Sequence, residues 1–155
     1  EKIVEQCFAE HKPLSFEILD IDYFKQYNDR YGHQAGDDCV RAIAALIRQM
    51  ESDQIFCARY GGDEFVIIYS GMSAEEVCER AEKLRQDVMA LQIEQRYAEG
   101  SFGVTISQGI CHDIPSNGNK NWDFLHVADQ ALYRVKRRGR NRLCMTDIHG
   151  REIEV

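Results

Sequence analysis

A single α/β domain is predicted by three observations. The hydrophobic period switches repeatedly along the chain, from continuous apolar runs typical of strands to the three-and-four spacing of helices. No internal repeat or low-complexity linker interrupts that alternation, so one layered unit accounts for it. The length, 155 residues, suits one ordinary core that buries roughly two thirds of the surface exposed by the unfolded chain. With 44% hydrophobic and 29% charged residues, 2 Pro and 11 Gly, the composition is too apolar for a disordered chain and too mixed for a fibrous one.

Residues 15–21, SFEILDI, read as a buried strand. Over 37–50, Val40, Ile43, Ile47 and Met50 fall at helical spacing, with Asp37 and Asp38 placed at the electropositive helix start. Residues 54–60 and 65–69 are β-rich runs joined through Gly61, Gly62, Asp63 and Glu64, the pattern of a hairpin with a short glycine-containing loop. Ser73 with Glu76 forms a capping-box pattern that opens a helix with Val77, Ala81, Leu84, Val88 and Leu91 on its apolar face. Residues 102–110 read as another strand. A last helix over about 122–138 turns Leu125, Ala128, Leu132 and Val135 inward, and 143–146 closes the sheet as an edge strand. The expected order is strand, helix, helix, hairpin, helix, strand, helix, strand.

Twenty-six acidic against 19 basic side chains give a formal charge of -7, which disfavours binding of long nucleic acids. Against that acidic body, Arg134, Lys136, Arg137, Arg138, Arg140 and Arg142 crowd together with no acid among them. Cys7, Cys39, Cys57, Cys78, Cys111 and Cys144 are scattered without a C-x-x-C pair and read as core thiols of a reducing cytosol. No segment approaches the length of a membrane span or the pattern of a signal peptide. The chain begins at Glu1 and reads as one domain, 1–155, of a longer protein.

The first strand ends in Asp20 and Asp22, and the hairpin presents Asp63 and Glu64. If those strands are neighbours, the carboxylates converge on one sheet edge, where a hard divalent cation with oxygen ligands relieves their repulsion. Magnesium or manganese fits such a donor set better than zinc; the same acids beside glycines also occur simply as solvated turn residues. An EF-hand is excluded, because Phe24, Lys25 and Tyr31 occupy positions that loop needs for ligands and its bend. Lys136 and Arg140, four apart, could clamp a polyphosphate, although cations also favour a helix C-terminus for dipole reasons alone. Neither a Walker-type loop nor Gly-x-Gly-x-x-Gly occurs.

Three ordered motifs then carry a family resemblance. RYGGDEF at 59–65 resembles the signature of the GGDEF domains, DIDYFKQYNDRYGHQAGD at 20–37 resembles the other long motif of the diguanylate cyclases, and ADQALYRVKRRGRNR at 128–142 continues the match. The resemblance implies a palm-like central, mainly antiparallel sheet flanked by helices, with the GGDEF hairpin at the active site. It implies joining of two GTP molecules into cyclic di-GMP with release of two pyrophosphates.

By the same resemblance, Asp20 and Asp63 would hold two divalent ions, Mg2+ or Mn2+, with the main-chain carbonyl of Ile21 and the Glu64 carboxylate completing the metal site. Asp63 and Glu64 would be catalytic, Glu64 helping to deprotonate the ribose 3′-hydroxyl. Asn28 and Asp37 would read guanine, a carboxylate accepting from N1 and N2 donors that adenine lacks. Lys25, Lys136, Arg140 and backbone N–H groups around Tyr23 and Phe24 would take the β and γ phosphates. One domain holds one GTP, so a homodimer is implied, together with an upstream sensor domain in the parent. The domain itself would be cytoplasmic, whether or not the parent is membrane-anchored.

Other motif residues have structural readings: Phe24, Phe65 and Leu132 as core, Gly32 and Gly36 for turn and cap geometry, His33 as a locally bonded loop residue, and Arg59 as a structural or inter-subunit ion-pair residue. Two departures from the family pattern stand out. The Arg-x-x-Asp inhibitory site would need Arg and Asp where Ser52 and Ile55 stand, so no product inhibition is expected there, and the family's upstream Asp-x-Leu-Thr-x-Leu-x-Asn-Arg segment is absent. The competing readings are a silent GTP-binding module that regulates a partner, and an adenylyl cyclase or polymerase palm, the latter disfavoured by Asn28 and Asp37.

Overall fold

The computed structural model describes residues 2–95, 103–116 and 118–155. Its elements are α1 (Lys2–Glu10), β1 (Leu14–Ile21), α2 (Phe24–Tyr31), α3 (His33–Arg48), β2 (Ile55–Arg59), β3 (Glu64–Ser70), α4 (Ala74–Ala90), β4 (Ile106–Asp113), α5 (Asn121–Arg137) and β5 (Leu143–Thr146). The strands form one sheet in the order β2-β3-β1-β4-β5. All neighbours run antiparallel except β4 and β5, which are parallel. The mainly antiparallel sheet flanked by helices is therefore as expected.

β1 is buried along its whole length, which explains why it reads as a continuous run rather than an alternating one. Its residues still divide between two faces. Leu19 and Ile21 join Phe65, Ile67, Tyr69, Ile106 and Ile110 under α3 and α4, while Phe16 and Ile18 join Val66, Cys111, Phe124, Ala128 and Leu132 under α5 and α1. Gly109 makes the second layer close: a Cβ there would lie 2.2 Å from the Leu132 amide nitrogen and 2.4 Å from the Ala128 carbonyl oxygen. The α5 backbone thus rests directly on β4, fixing where its last turn ends.

The capping box is present, with the Ser73 hydroxyl accepting from the Glu76 amide at 3.1 Å and the Glu76 carboxylate accepting from the Ser73 amide at 3.1 Å. Several boundaries differ from the expectation. α1 is additional; its short amphipathic pattern covers the sheet through Val4 and Cys7. α3 begins at His33, because Gly32 with φ 94° breaks the chain between α2 and α3. Asp37 and Asp38 consequently lie in the second turn of α3 rather than at its start. Leu91 follows the end of α4 and is exposed. β4 runs from Ile106 to Asp113, and the expected strand start at Phe102 falls outside the described residues. All six cysteines are free, four of them buried, and burial pushes the thiols of Cys39 and Cys57 up to about 11 and 12. No helix among the described residues is long and apolar enough to cross a membrane.

Candidate active site

The sheet order brings three distant segments to one edge. The β1–β3 register sets Asp20 opposite Glu64, and the β1–β4 register sets Asp20 opposite Ser107. The hairpin loop is tied down twice. The Ile21 amide donates to the Asp63 carbonyl at 3.1 Å, and Arg59 donates to the carbonyls of Gly61 and Gly62 at 3.0 and 2.6 Å. Arg59 is thus structural, shaping the loop from its own strand. An added Cβ at Gly62 would meet nothing within 4 Å, so that backbone stands open to approach by another group.

At this edge lies an open pocket of about 190 Å³ lined by Asp20, Ile21, Tyr23, Phe24, Lys25, Asp63, Lys136 and Arg140, together with Asp22 and Gln26. Asp20 is buried, and the Lys136 ammonium forms an ion pair with one of its oxygens. The other oxygen, Oδ1, is buried without a hydrogen-bond partner. Burial pushes the Asp20 carboxyl up to about 6; Lys136 opposes that shift, and Asp22 and Asp63 add to it. Carboxylates, a main-chain carbonyl and an unsatisfied oxygen suit a hard divalent cation. Among the described residues no three His, Cys, Asp or Glu side chains form a ready metal cluster, so further ligands would have to come from backbone, substrate or water.

α2 begins immediately after this acid edge. Tyr23 is its N-cap, in the left-handed region at φ 55° with no side-chain cap, and its carbonyl accepts from the Gln95 side chain at 3.1 Å. The first amides of α2 have no intrahelical acceptor, which makes them donors for an anion. Arg140, also left-handed at φ 64°, stacks its guanidinium 4.7 Å from the Tyr23 ring centre.

Eight of the eleven expected site residues therefore line one pocket. Glu64, Asn28 and Asp37 are not among its lining residues. Glu64 is half-buried opposite Asp20. Asn28 is half-buried against α3, its Oδ1 buried without a partner in the space that a side chain at Gly36 would fill, while Asp37 is exposed one residue further on from Gly36. Phe24 is half-buried against the α3–α4 side of the core, whereas Phe65 is buried on that side and Leu132 on the α5 side. His33 is exposed at the start of α3. Ser52 and Ile55 close a turn on each other through their main chains.

Asp22 does not join the cluster of carboxylates expected to converge on a cation at this edge. It is buried and spends its carboxylate on Thr105, Ser107 and the Asn141 amide. Those partners lie far along the chain, so the sequence signal for this role is limited to the position of Asp22 at the end of a strand that reads as buried.

The family model described as the diguanylate cyclase GGDEF domain matches residues 1–142. A diguanylate cyclase of Vibrio cholerae serotype O1 is 37% identical over 145 residues, covering 86% of this chain and 40% of the relative. The chain thus spans less than half the length of that curated relative. The GGDEF domain of DgcB from Caulobacter crescentus, solved in complex with c-di-GMP, superposes with a TM-score of 0.82 at 32% identity, covering 96% of this chain and 85% of that one. A longer structure of the same protein, comprising coiled coil and GGDEF domain with c-di-GMP, gives a TM-score of 0.83 at 31% identity, covering 94% and 75%.

Proposed function

The chain belongs to the GGDEF domain family of diguanylate cyclases, and on that premise we propose that it condenses two GTP molecules into cyclic di-GMP with release of two pyrophosphates. The observation that carries this reading is the division of the pocket: Asp20 and Asp63 line it together with Lys25, Lys136, Arg140 and the first residues of α2. Acids and cations at one site suit a substrate that arrives as a metal–polyphosphate complex.

Asp20, Asp63, the Ile21 carbonyl and Glu64 would hold two divalent ions, Mg2+ or Mn2+, a fit supported by the buried, unpartnered Asp20 Oδ1. When bound, such ions lower the pKa of the 3′-hydroxyl and neutralise charge on the α-phosphate and pyrophosphate. The protein supplies the remainder. Lys25, Lys136, Arg140 and the amides around Tyr23 and Phe24 grip the β and γ phosphates, Arg140 as a fork and the lysines as point charges. Asn28 and Asp37 select guanine by pairing with donors that adenine lacks, and a base that leaves such groups unpaired is rejected by roughly four orders of magnitude.

In the reaction, O3′ of one GTP bonds to the α-phosphorus of the other while the bond from that phosphorus to the β-bridging oxygen breaks and pyrophosphate departs with the electron pair; the reciprocal displacement closes the ring and releases the second pyrophosphate. Glu64 takes the 3′-hydroxyl proton. Each domain binds one GTP, so two copies must meet antiparallel, turning a bimolecular encounter into an oriented one. The domain works on the cytoplasmic side, and a segment of the parent outside these residues would control the pairing.

The test is incubation of the parent-length protein with GTP and Mn2+, followed by mass spectrometry, and the same with Asp63→Asn. Cyclic di-GMP from the intact protein and none from the variant is expected. GTP binding without product would turn the reading to a silent nucleotide-binding module, and unchanged product from Asp63→Asn would sink the metal assignment. Asp37→Ser should in addition weaken the preference for GTP over ATP.

A further inference from the structure

We infer that Asp22 is a positioning residue that aims Arg140 at the phosphate groups of the nucleotide, an inference resting on the phosphate-binding part of the function proposed above. The Asp22 carboxylate is buried and fully engaged. Oδ2 accepts from the Thr105 hydroxyl at 2.7 Å and from the Asn141 amide at 3.1 Å, and Oδ1 accepts from the Ser107 hydroxyl at 2.6 Å. Its own amide donates to the Thr105 carbonyl at 2.9 Å. With its oxygens so committed, Asp22 is not disposed to act as a metal ligand beside Asp20.

What those bonds hold is an unusual turn. After α5 the chain passes through Gly139, Arg140 and Asn141 with φ of 112°, 64° and 49°. Two successive side-chain-bearing residues in the left-handed region are strained and persist where neighbouring contacts over-determine them. The contacts here come from four directions. The Arg140 amide donates to the Val135 carbonyl at 3.0 Å, Arg85 of α4 donates to the Asn141 side chain at 3.1 Å, the Gln108 amide of β4 donates to the Arg142 carbonyl at the turn's exit at 3.0 Å, and Asp22 accepts from the Asn141 amide. The Asn141 amide also reaches the Ser107 hydroxyl at 3.3 Å, and that hydroxyl donates to Asp22, so Asp22 and the hydroxyl it holds link the turn to the acid edge.

The consequence is geometric. Tyr23, next in sequence to Asp22, receives the Arg140 guanidinium on its ring at 4.7 Å. One residue thus fixes the backbone of Arg140 through Asn141, and its neighbour provides the surface on which the side chain rests. A continued α5 helix would carry Arg140 away on a different bearing; the left-handed turn brings it back over the start of α2, where the phosphate-binding amides are.

The test compares the full-length parent protein carrying wild-type sequence, Asp22→Asn, Arg140→Ala and both changes, by calorimetry in Mg2+ with GTP, inorganic tripolyphosphate and GMP. Asn keeps the size of Asp22 but offers an amide where an acceptor is needed. Asp22→Asn should weaken GTP and tripolyphosphate by about tenfold, the scale of one buried hydrogen bond to a charged group, and leave GMP binding unchanged. Added to Arg140→Ala it should cost nothing further, since both act through the same contact. Equal loss for GMP, fully additive losses, or no loss would overturn the inference. Where Asp22→Asn fails to fold, Ser107→Ala removes one bond to the same carboxylate and the second acceptor of the Asn141 amide, and should show the same pattern at about threefold; absence of that pattern counts against the inference equally. A wild-type chain that binds tripolyphosphate yet makes no cyclic di-GMP defeats the cyclase reading alone. Binding of neither GTP nor tripolyphosphate defeats both.

Discussion

Lys136 closes an ion pair on Asp20, reaching from the last turn of α5 to the end of the central strand. A single ammonium therefore compensates a buried carboxylate whose second oxygen is unpartnered. The same ammonium is needed for phosphate in the proposed reaction, so a divalent ion arriving at Asp20 would release it for that task.

Lys136→Met should accordingly separate two effects. GTP turnover, measured as kcat/KM, is expected to fall by about tenfold or more, since a charge-assisted contact to phosphate is lost. Thermal unfolding at pH 8 should show a larger gain in Tm on adding Mg2+ for the variant than for the wild type, because the ion no longer displaces an ammonium and ligand that binds more tightly stabilises more. An equal gain in both proteins would mean that Lys136 and metal do not share Asp20.

A buried acid elsewhere sets a pH dependence. Glu17 on β1 accepts a 2.6 Å hydrogen bond from the Tyr69 hydroxyl, its Oε2 has no partner, and burial pushes its carboxyl from the ordinary 4.5 up to about 8. The folded protein therefore holds this proton more tightly than the unfolded chain. Its contribution to stability is fully present below about pH 4.5 and is lost as pH rises towards about 8. Glu17→Gln keeps an acceptor for Tyr69 and cannot ionise, so urea unfolding should show it more stable than wild type at pH 8 by about 2 kcal/mol, with the difference shrinking at pH 5. A difference constant with pH would refute this.

Gly36→Ala tests the guanine-reading role of Asn28. The added Cβ would fall 1.7 Å from Asn28 Oδ1 and 2.9 Å from its Cγ, so the Asn28 amide must swing aside while the backbone of α3 stays put. The preference for GTP over ATP in competition binding is expected to fall by about tenfold, with a smaller effect on tripolyphosphate binding. Unchanged base preference would remove Asn28 from that role.

Gly109→Ala should be far more damaging although it touches no site residue. The intruding methyl meets helix backbone, Leu132 N and Cα at 2.2 and 2.7 Å and the Ala128 carbonyl at 2.4 Å, none of which can rotate away. A loss of about 3 kcal/mol or more is expected, read by chemical denaturation or as insoluble protein. An Ala variant as stable as the wild type would contradict the close α5–β4 packing.

These residues also show how far sequence alone reaches. The hairpin around Gly61 and Gly62, the Ser73–Glu76 box and the apolar faces of α4 and α5 are local patterns, and local patterns survive into the fold. The pairing of Asp20 with Lys136 was legible as complementary chemistry, acid and cation each seeking a partner, though not as a direct contact. Asp22 was not legible as a structural acid, because Thr105, Ser107 and Asn141 become its neighbours only once β4 and the α5–β5 turn have docked. The start of α3 is not legible for a related reason: Gly32 breaks the backbone between two polar helical turns, where hydrophobic spacing carries no signal.

The sheet is chemically one-ended. β1 leaves its acids at one edge, while at the other it begins beside Pro13, whose carbonyl accepts from the Gly71 amide at 2.8 Å, and β4 runs out near Ile114. Loops at that far edge carry none of the pocket residues. A fluorescent reporter or affinity handle grafted there, for instance at the exposed Gly118 or Lys120, would ride on the molecule away from the acid edge and its pocket.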